Sequence, residues 1–390
     1  MPRWSNWSGK QTARITAQHF IRSEEDAQGL VRHAAAEHLR LRTAGAGHSH
    51  SQVALPDELA VDLSGLSGII STDAERSTAW VWAGSRIYSL GRPLREAGLA
   101  MHNQGDIDRQ AIAGATATGT HGTGTALGNL SSRVVGAEII NAQGERQTLS
   151  EADSSEQFRA IQLTLGSVGL ITRLQLRLEK AYKLHQRSFS QPLDKLLPEV
   201  ETHIHNNRHF EFFWYPQTGE AHAKIINETE ADCVYPLGEE ERLAWSYEVL
   251  PSHRPNLHTE MEYSVPADKG MECLLEIRAL LTDRFPDIAW PVEYRTVAAD
   301  EVWMSASYRR PTVTISVHQD VRFDDEPYFR ACEEIFQRFD GRPHWGKVNY
   351  LTGGDLAAIH PRWTDWWSVR NELDPHGMFL NDYMSQLRPQ

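Results

Sequence analysis

Residues Ala111–Gly128 read AIAGATATGTHGTGTALG. Glycine, alanine and threonine dominate this stretch, so it has little to pack a core with. It can bring backbone N–H groups close to a flat or phosphorylated ligand. A P-loop needs a Lys after its last glycine, and none follows here. A dinucleotide fingerprint needs G-x-G-x-x-G, and GTGTALG has the wrong final spacing. The segment therefore reads as a pyrophosphate cradle of another kind. Folded-type sequence on both sides argues against a flexible linker.

Upstream, Ser23 caps a helix with Glu24, Glu25 and Asp26 in its first turn, running to about Leu39. A short strand and the loop Ala44–Ser51 follow. Thr78–Ala83 reads as a strand and Ile87–Ala97 as a helix. Leu170, Leu174, Leu176 and Leu178 alternate with Arg173, Gln175 and Arg177, the pattern of a strand with one wet face. These elements give an α+β first domain over residues 1–179. From Ala181 the texture changes. Phe210–Pro216, Met261–Pro266 and Pro311–His318 read as strands of a second sheet, with a helix from about Lys269 to Arg284. That domain spans 180–340, and a C-terminal segment spans 341–390. Glu239–Arg242 reads as a solvated turn. Trp363, Trp366 and Trp367 fit a helical core stripe.

At 390 residues, with 40% hydrophobic and 23% charged residues, the chain suits a soluble protein of two or three domains. A net charge of −13 disfavours nucleic acid or an anionic membrane as partner. No stretch approaches the ~18 apolar residues of a spanning helix. The N-terminus lacks the apolar core of a signal peptide. Three scattered cysteines suit a reduced, cytoplasmic protein. The 18 histidines form no metal-ligand spacing, so no metal is expected. Nothing in the sequence sets the oligomeric state, and a monomer is compatible with it.

Four segments share one order: AGAGHSHS (Ala44–Ser51), ATGTHGTG (Ala117–Gly124), VEYRTVAADEVWMS (Val292–Ser305) and HWGKVNY (His344–Tyr350). Together they resemble the vanillyl-alcohol-oxidase-type (VAO/PCMH) FAD flavoproteins, in the aldonolactone oxidase and alditol oxidase branch. The resemblance spans nearly the whole chain. It implies a two-domain α+β FAD-binding fold with an antiparallel-sheet substrate (cap) domain, and a C-terminal segment that returns to the FAD domain.

The resemblance also assigns residues. His48 matches the covalent attachment point of the flavin, with Gly45, Gly47 and Ser49 shaping its turn. Gly114, Thr118, Gly119, Thr120, His121, Gly122 and Gly124 match the flavin-binding loop, and the loop Gly114–Gly128 is expected to cradle its pyrophosphate. Gly166 and Gly169 are expected close to the cofactor. Glu293 and Arg295, two apart on a strand, share one face. A carboxylate beside a guanidinium is expected to stay ionised and to accept or orient a hydroxyl proton. Arg295 and Lys347 suit developing negative charge. The polar face of the strand ending at His318 offers Ser316 and His318, where alditol oxidases carry a His and a Thr. Asp106, where alditol oxidases carry Ser, could accept two hydroxyl hydrogen bonds from a sugar. Gly105 matches a position where a small residue admits O2 and Ala goes with dehydrogenase behaviour.

The expected reaction is hydride transfer from a sugar-derived alcohol to FAD, with O2 as acceptor and H2O2 as co-product. The favoured substrate is an aldono-1,4-lactone of the L-gulono or D-arabinono type, oxidised at its 2-hydroxyl. The alternatives are a terminal primary alcohol of a polyol or nucleoside, a dehydrogenase serving a carrier protein, and a flavin-holding protein without turnover. The last is opposed by Glu293, Arg295 and Lys347 occurring together.

Overall fold

The computed structural model describes residues 1–153, 155–252 and 254–389. The alternating strand Leu170–Arg177 is the centre of a five-stranded antiparallel sheet. Its order is Arg146–Ser150, Val134–Ile140, Leu170–Arg177, Thr78–Trp82, Ile69–Asp73. Leu170, Leu174 and Leu176 are buried, as the alternation requires. A three-stranded parallel sheet, Ala17–Phe20, Leu59–Asp62 and Leu41–Thr43, lies in the same half. The first helix is Glu24–Ala36, and the Ser23 hydroxyl accepts from the Asp26 amide. It stops short of Leu39 because His38 takes the left-handed conformation, φ 55°.

The second half is one eight-stranded sheet. Its order is Glu241–Trp245, Lys183–Pro192, Glu220–Thr229, His209–Trp214, Val292–Val297, Thr312–Asp320, His258–Pro266, Arg342–Pro343. Period-two alternation divides its faces. Phe210, Phe212, Met261, Tyr263, Tyr294, Ile315 and Val317 pack under the helices Gly270–Arg284 and Glu326–Arg338. Glu211, Glu260, Glu262, Glu293, Arg295, Ser316 and His318 stand on the opposite face, also buried.

The helix Trp363–Leu373 packs its tryptophans into the core of the first half, the same cluster that holds Val31, Leu90 and Phe158. Trp366 Nε1 donates to the Leu163 carbonyl at 3.1 Å. Val302, Trp303, Met304 and Tyr308 join that core too, although they lie in sequence between two strands of the second sheet. Burial of a large apolar side chain contributes about 1.5–3 kcal/mol, so these contacts hold the halves together. Glu241 and Arg242 begin a strand rather than forming a turn, because they pair with Arg187 and Gln186. Among the described residues, no helix is long and apolar enough to cross a membrane.

Candidate active site

Two clefts meet between the halves. The first, of about 950 Å³, is lined by the turn Gly45–Ser49, by Gly84, Ala111 and Gly114, and by Thr164, Gly166 and Gly169. Close backbone approach explains its glycines. A Cβ on Gly84 would lie 1.9 Å from the Leu63 carbonyl oxygen, and one on Gly45 would lie 2.9 Å from Ala111 Cβ. Among the described residues, the amides of Gly45, Ala46, Gly47, His48 and Ser49 donate to no protein acceptor. Five consecutive free donors around a cleft call for an anionic or polar ligand. His50 N donates to the Gly346 carbonyl, and Ser51 Oγ to that of Trp345 at 2.6 Å. Two of the four diagnostic segments are thereby clamped together.

The buried Arg42 guanidinium borders the same cleft. It donates to the carbonyls of Val53, Leu165, Gly166 and Phe379, tying four segments together.

The second cleft, of about 2100 Å³, shares His48, Ser49, Gln110 and Thr118 with the first. Gly105, Asp106, Thr120, His121, Glu293, Arg295, His318 and Lys347 all line it. So do Glu239 and Arg242, which correct the reading of that run as a turn away from any site.

Charge in this cleft is organised in two networks. In one, Arg295 serves three carboxylates: Glu211 at 2.7 Å, Glu293 at 2.5 Å and Asp106 at 3.4 Å. Arg254 and Lys224 complete it, at 2.5 and 3.7 Å from Asp106. Burial alone would raise Asp106, but these three cations outweigh it and hold the group below the ordinary carboxylate range. Both oxygens of Asp106 are thus engaged by cations, which narrows the expectation that it binds a sugar diol.

Glu293 behaves oppositely. Its desolvation by burial outweighs the pull of Arg295, helped by the nearby Glu211 and Asp106, and pushes it up to about 8. The expectation of an ionised Glu293 is therefore corrected: at neutral pH it is a carboxylic acid. Its Oε1 lies beside Arg295 without an aligned hydrogen bond.

In the second network Lys347 Nζ contacts Glu260 Oε2. Burial opposes ionisation of Glu260, yet Lys347 and His318 keep it well below the usual range. His121 Nε2 pairs with Glu262 Oε1 at 2.9 Å, and the Ser316 hydroxyl donates to Glu262 Oε2 at 2.8 Å. Ser316 supports Glu262 and does not line the cleft. His48 lines both clefts, and burial, reinforced by Lys347 and Arg86, lowers it to about 4.

The diagnostic glycine loop divides. Gly114 and Thr118 line the first cleft. Gly119 ends their helix at φ 76° and lines neither large cleft. Gly122 and Gly124 also stand apart, because the chain there is a tie between the halves. The Gly124 amide donates to the Thr296 carbonyl at 2.8 Å, and Thr123 Oγ1 donates to that of Phe210 at 2.6 Å. The 114–128 cradle is accordingly narrowed to its N-terminal part.

Glu211, Glu260, Glu262, His258, His344, Lys224 and Arg254 join the site without a local sequence signature, whereas His50 competes with His48 within the same loop. The alternation of His258–Pro266 was the one available signal for Glu260 and Glu262. The histidines that show no ligand spacing along the chain do converge in space. One donor atom each of His50, His258 and Glu260 lies within 4.8 Å of the others, which corrects the reading that they form no cluster.

Comparison with known proteins agrees with this geometry. A D-arabinono-1,4-lactone oxidase family profile matches residues 174–236 and 231–387, and an FAD-binding-domain profile matches 17–150. The chain is 33% identical to the L-gulono-1,4-lactone dehydrogenase of Mycobacterium tuberculosis, covering 98% of both chains. It is 29% identical to the alditol oxidase of a Streptomyces species, again covering 98% of each. Its fold matches that of cholesterol oxidase from B. sterolicum with a TM-score of 0.85 at 15% identity, covering 99% and 96% of the two chains. The first cleft fits an FAD: free amide donors and glycines suit its diphosphate, and a histidine stands where the two clefts join.

Proposed function

The chain belongs to the D-arabinono-1,4-lactone oxidase family, with an FAD-binding domain as its N-terminal half, and from that premise we propose that it oxidises an aldono-1,4-lactone at the 2-hydroxyl. It is an FAD-dependent oxidoreductase acting on CH–OH groups. A bound FAD would supply the acceptor for the hydride that leaves the carbinol carbon.

The observation that carries the lactone reading is the pairing, in one buried cleft, of a neutral carboxyl, Glu293, with a fixed guanidinium, Arg295. A protonated carboxyl donates a hydrogen bond, and a lactone carbonyl accepts one. Arg295 holds the same oxygens and favours negative charge that develops on them. His318 donates from Nδ1 to the Pro291 carbonyl at 2.8 Å, which leaves Nε2 free to accept the hydroxyl proton. Lys347 keeps Glu260 ionised beside it. Asp106 positions Arg254 and Arg295.

Deuterium at C2 of the lactone tests the position of oxidation. The expected result is a primary isotope effect on flavin reduction and a product lighter by two hydrogens. Loss of label from no carbon but a terminal one in a polyol would move the substrate to the alditol class.

His48 is the residue we assign as the covalent flavin ligand, since among the described histidines it alone borders both clefts. Unfolded wild-type chain on a denaturing gel should carry flavin fluorescence, and His48→Ala should not. Fluorescence retained by His48→Ala would refute the tether.

Gly105 leads us to O2 as acceptor. A Cβ there would lie 3.1 Å from the His121 carbonyl oxygen and 3.4 Å from Thr120 Cγ2, so any larger residue crowds the cleft.

A further inference from the structure

Three imidazoles surround the carboxylate of Glu260. His50 Nε2 and His258 Nε2 stand 3.7 and 3.8 Å from its Oε2, and His318 Nε2 stands 3.7 Å from its Oε1. Each separation exceeds a hydrogen bond. The far nitrogens of two rings are already committed. His258 Nδ1 donates to the Asn256 carbonyl at 2.9 Å, and His318 Nδ1 to the Pro291 carbonyl at 2.8 Å.

A carbonyl only accepts, so each ring keeps its proton on Nδ1 and turns a bare Nε2 lone pair toward Glu260. An imidazole whose Nδ1–H is held by a carbonyl while Nε2 stays free is the arrangement that outer-shell contacts give to metal-ligating histidines. Burial also pushes His50 and His318 down, so both offer neutral rings.

The spacing suits a small cation. Zinc bonds of about 2.0–2.1 Å in a tetrahedron put neighbouring ligands about 3.4 Å apart. His50 Nε2 and His258 Nε2, at 3.7 and 3.8 Å from Glu260 Oε2, reach this separation from it by moving a few tenths of an ångström. These two imidazoles and the carboxylate, whose donor atoms lie within 4.8 Å of one another, form a donor set for Zn2+, Co2+, Ni2+ or Cu2+, and a poor one for Mg2+ or Ca2+.

The neighbouring group His121, Glu262 and His344 has similar composition and does not qualify. His121 Nε2 hydrogen-bonds Glu262 directly at 2.9 Å, and its Nδ1 meets the Gly122 carbonyl at 2.9 Å. His344 Nδ1 accepts from the Gly346 amide. The fold engages His121 Nε2, both Glu262 oxygens and His344 Nδ1 in hydrogen bonds, whereas the Nε2 atoms of His50 and His258 stand beyond hydrogen-bond reach of Glu260.

We propose that the chain binds one divalent transition-metal ion of the Zn2+ class through His50, His258 and Glu260, and that the bound ion closes the substrate cleft. Binding displaces the Lys347 ammonium from Glu260. The metal site stands on these donors alone. Only the competition with lactone rests on the substrate reading.

Equilibrium dialysis of the flavin-loaded protein against Zn2+ alone tests the site. One ion per chain is expected. His50→Gln and His258→Gln should each weaken binding roughly 10-fold or more, while His121→Gln should not. The flavin absorption spectrum reports whether each variant has folded. Affinity unchanged in both His50→Gln and His258→Gln would overturn the proposal. X-ray absorption at the zinc edge of the unmutated protein needs no variant. A shell rich in imidazole nitrogen supports the site, and a sulfur or oxygen-only shell refutes it. Inhibition by Zn2+ competitive with lactone is expected, and inhibition that saturating lactone leaves unrelieved contradicts closure of the cleft.

Discussion

Arg295→Met lowers turnover roughly 10²–10³-fold and destabilises the folded chain by about 3–5 kcal/mol. Both effects follow from one guanidinium serving three buried carboxylates, Glu211, Glu293 and Asp106. Lys224 and Arg254 still reach Asp106, and Lys224 reaches Glu211 at 2.7 Å, but Glu293 loses its one ion-pair partner among the described residues. Arg295→Lys restores charge without the planar fork that holds Glu211 and Glu293 at once, so it recovers part of the stability and little of the rate. Steady-state kinetics and urea unfolding of the three proteins check this. Wild-type rate together with a loss under about 1 kcal/mol would reduce the cluster to an incidental ion pair.

Turnover of the wild-type protein falls about tenfold per pH unit above the Glu293 titration near pH 8, and Glu293→Gln removes that fall. The neutral carboxyl is the hydrogen-bond donor, and an amide donates in its place at every pH. Stability carries the same sign. Burial raises Glu293 from an ordinary value of 4.5 to about 8, so the folded state holds a proton that the unfolded state releases between those values. This contribution to stability is full below about pH 4.5 and is lost as pH rises through about 8. Urea midpoints at pH 6 and pH 9 should differ less in Glu293→Gln than in the wild type. A Glu293→Gln protein that loses turnover a thousandfold at every pH would instead make the ionised carboxylate the proton acceptor.

Period and capping made much of the fold legible. Leu170–Leu178 announces its buried and wet faces, Ser23 announces its helix, and the tryptophan spacing announces a core stripe. The same alternation placed Glu293 and Arg295 on one face, and it applied equally to Glu260 and Glu262 on His258–Pro266. What the sequence did not reveal depends on three-dimensional convergence. Arg254 reaches Asp106 across 148 positions, and Lys347 reaches Glu260 across 87. Neither spacing leaves a local pattern. The protonation of Glu293 is hidden from the sequence for a related reason: its Arg neighbour is visible there, whereas the burial that outweighs it is not. The glycines at 122 and 124 resembled a ligand cradle because a tight tie between two sheets needs the same small residues as a diphosphate does.

The most direct measurement is anaerobic mixing of the purified flavoprotein with L-gulono-1,4-lactone, D-arabinono-1,4-lactone, a linear alditol and a nucleoside, followed by admission of air. The account predicts bleaching of the flavin band near about 450 nm, a property of the cofactor, by the lactones far faster than by the others, and prompt recovery in air. Bleaching by the alditol or nucleoside alone would contradict the lactone assignment. Lactone bleaching with slow recovery would contradict O2 as the acceptor.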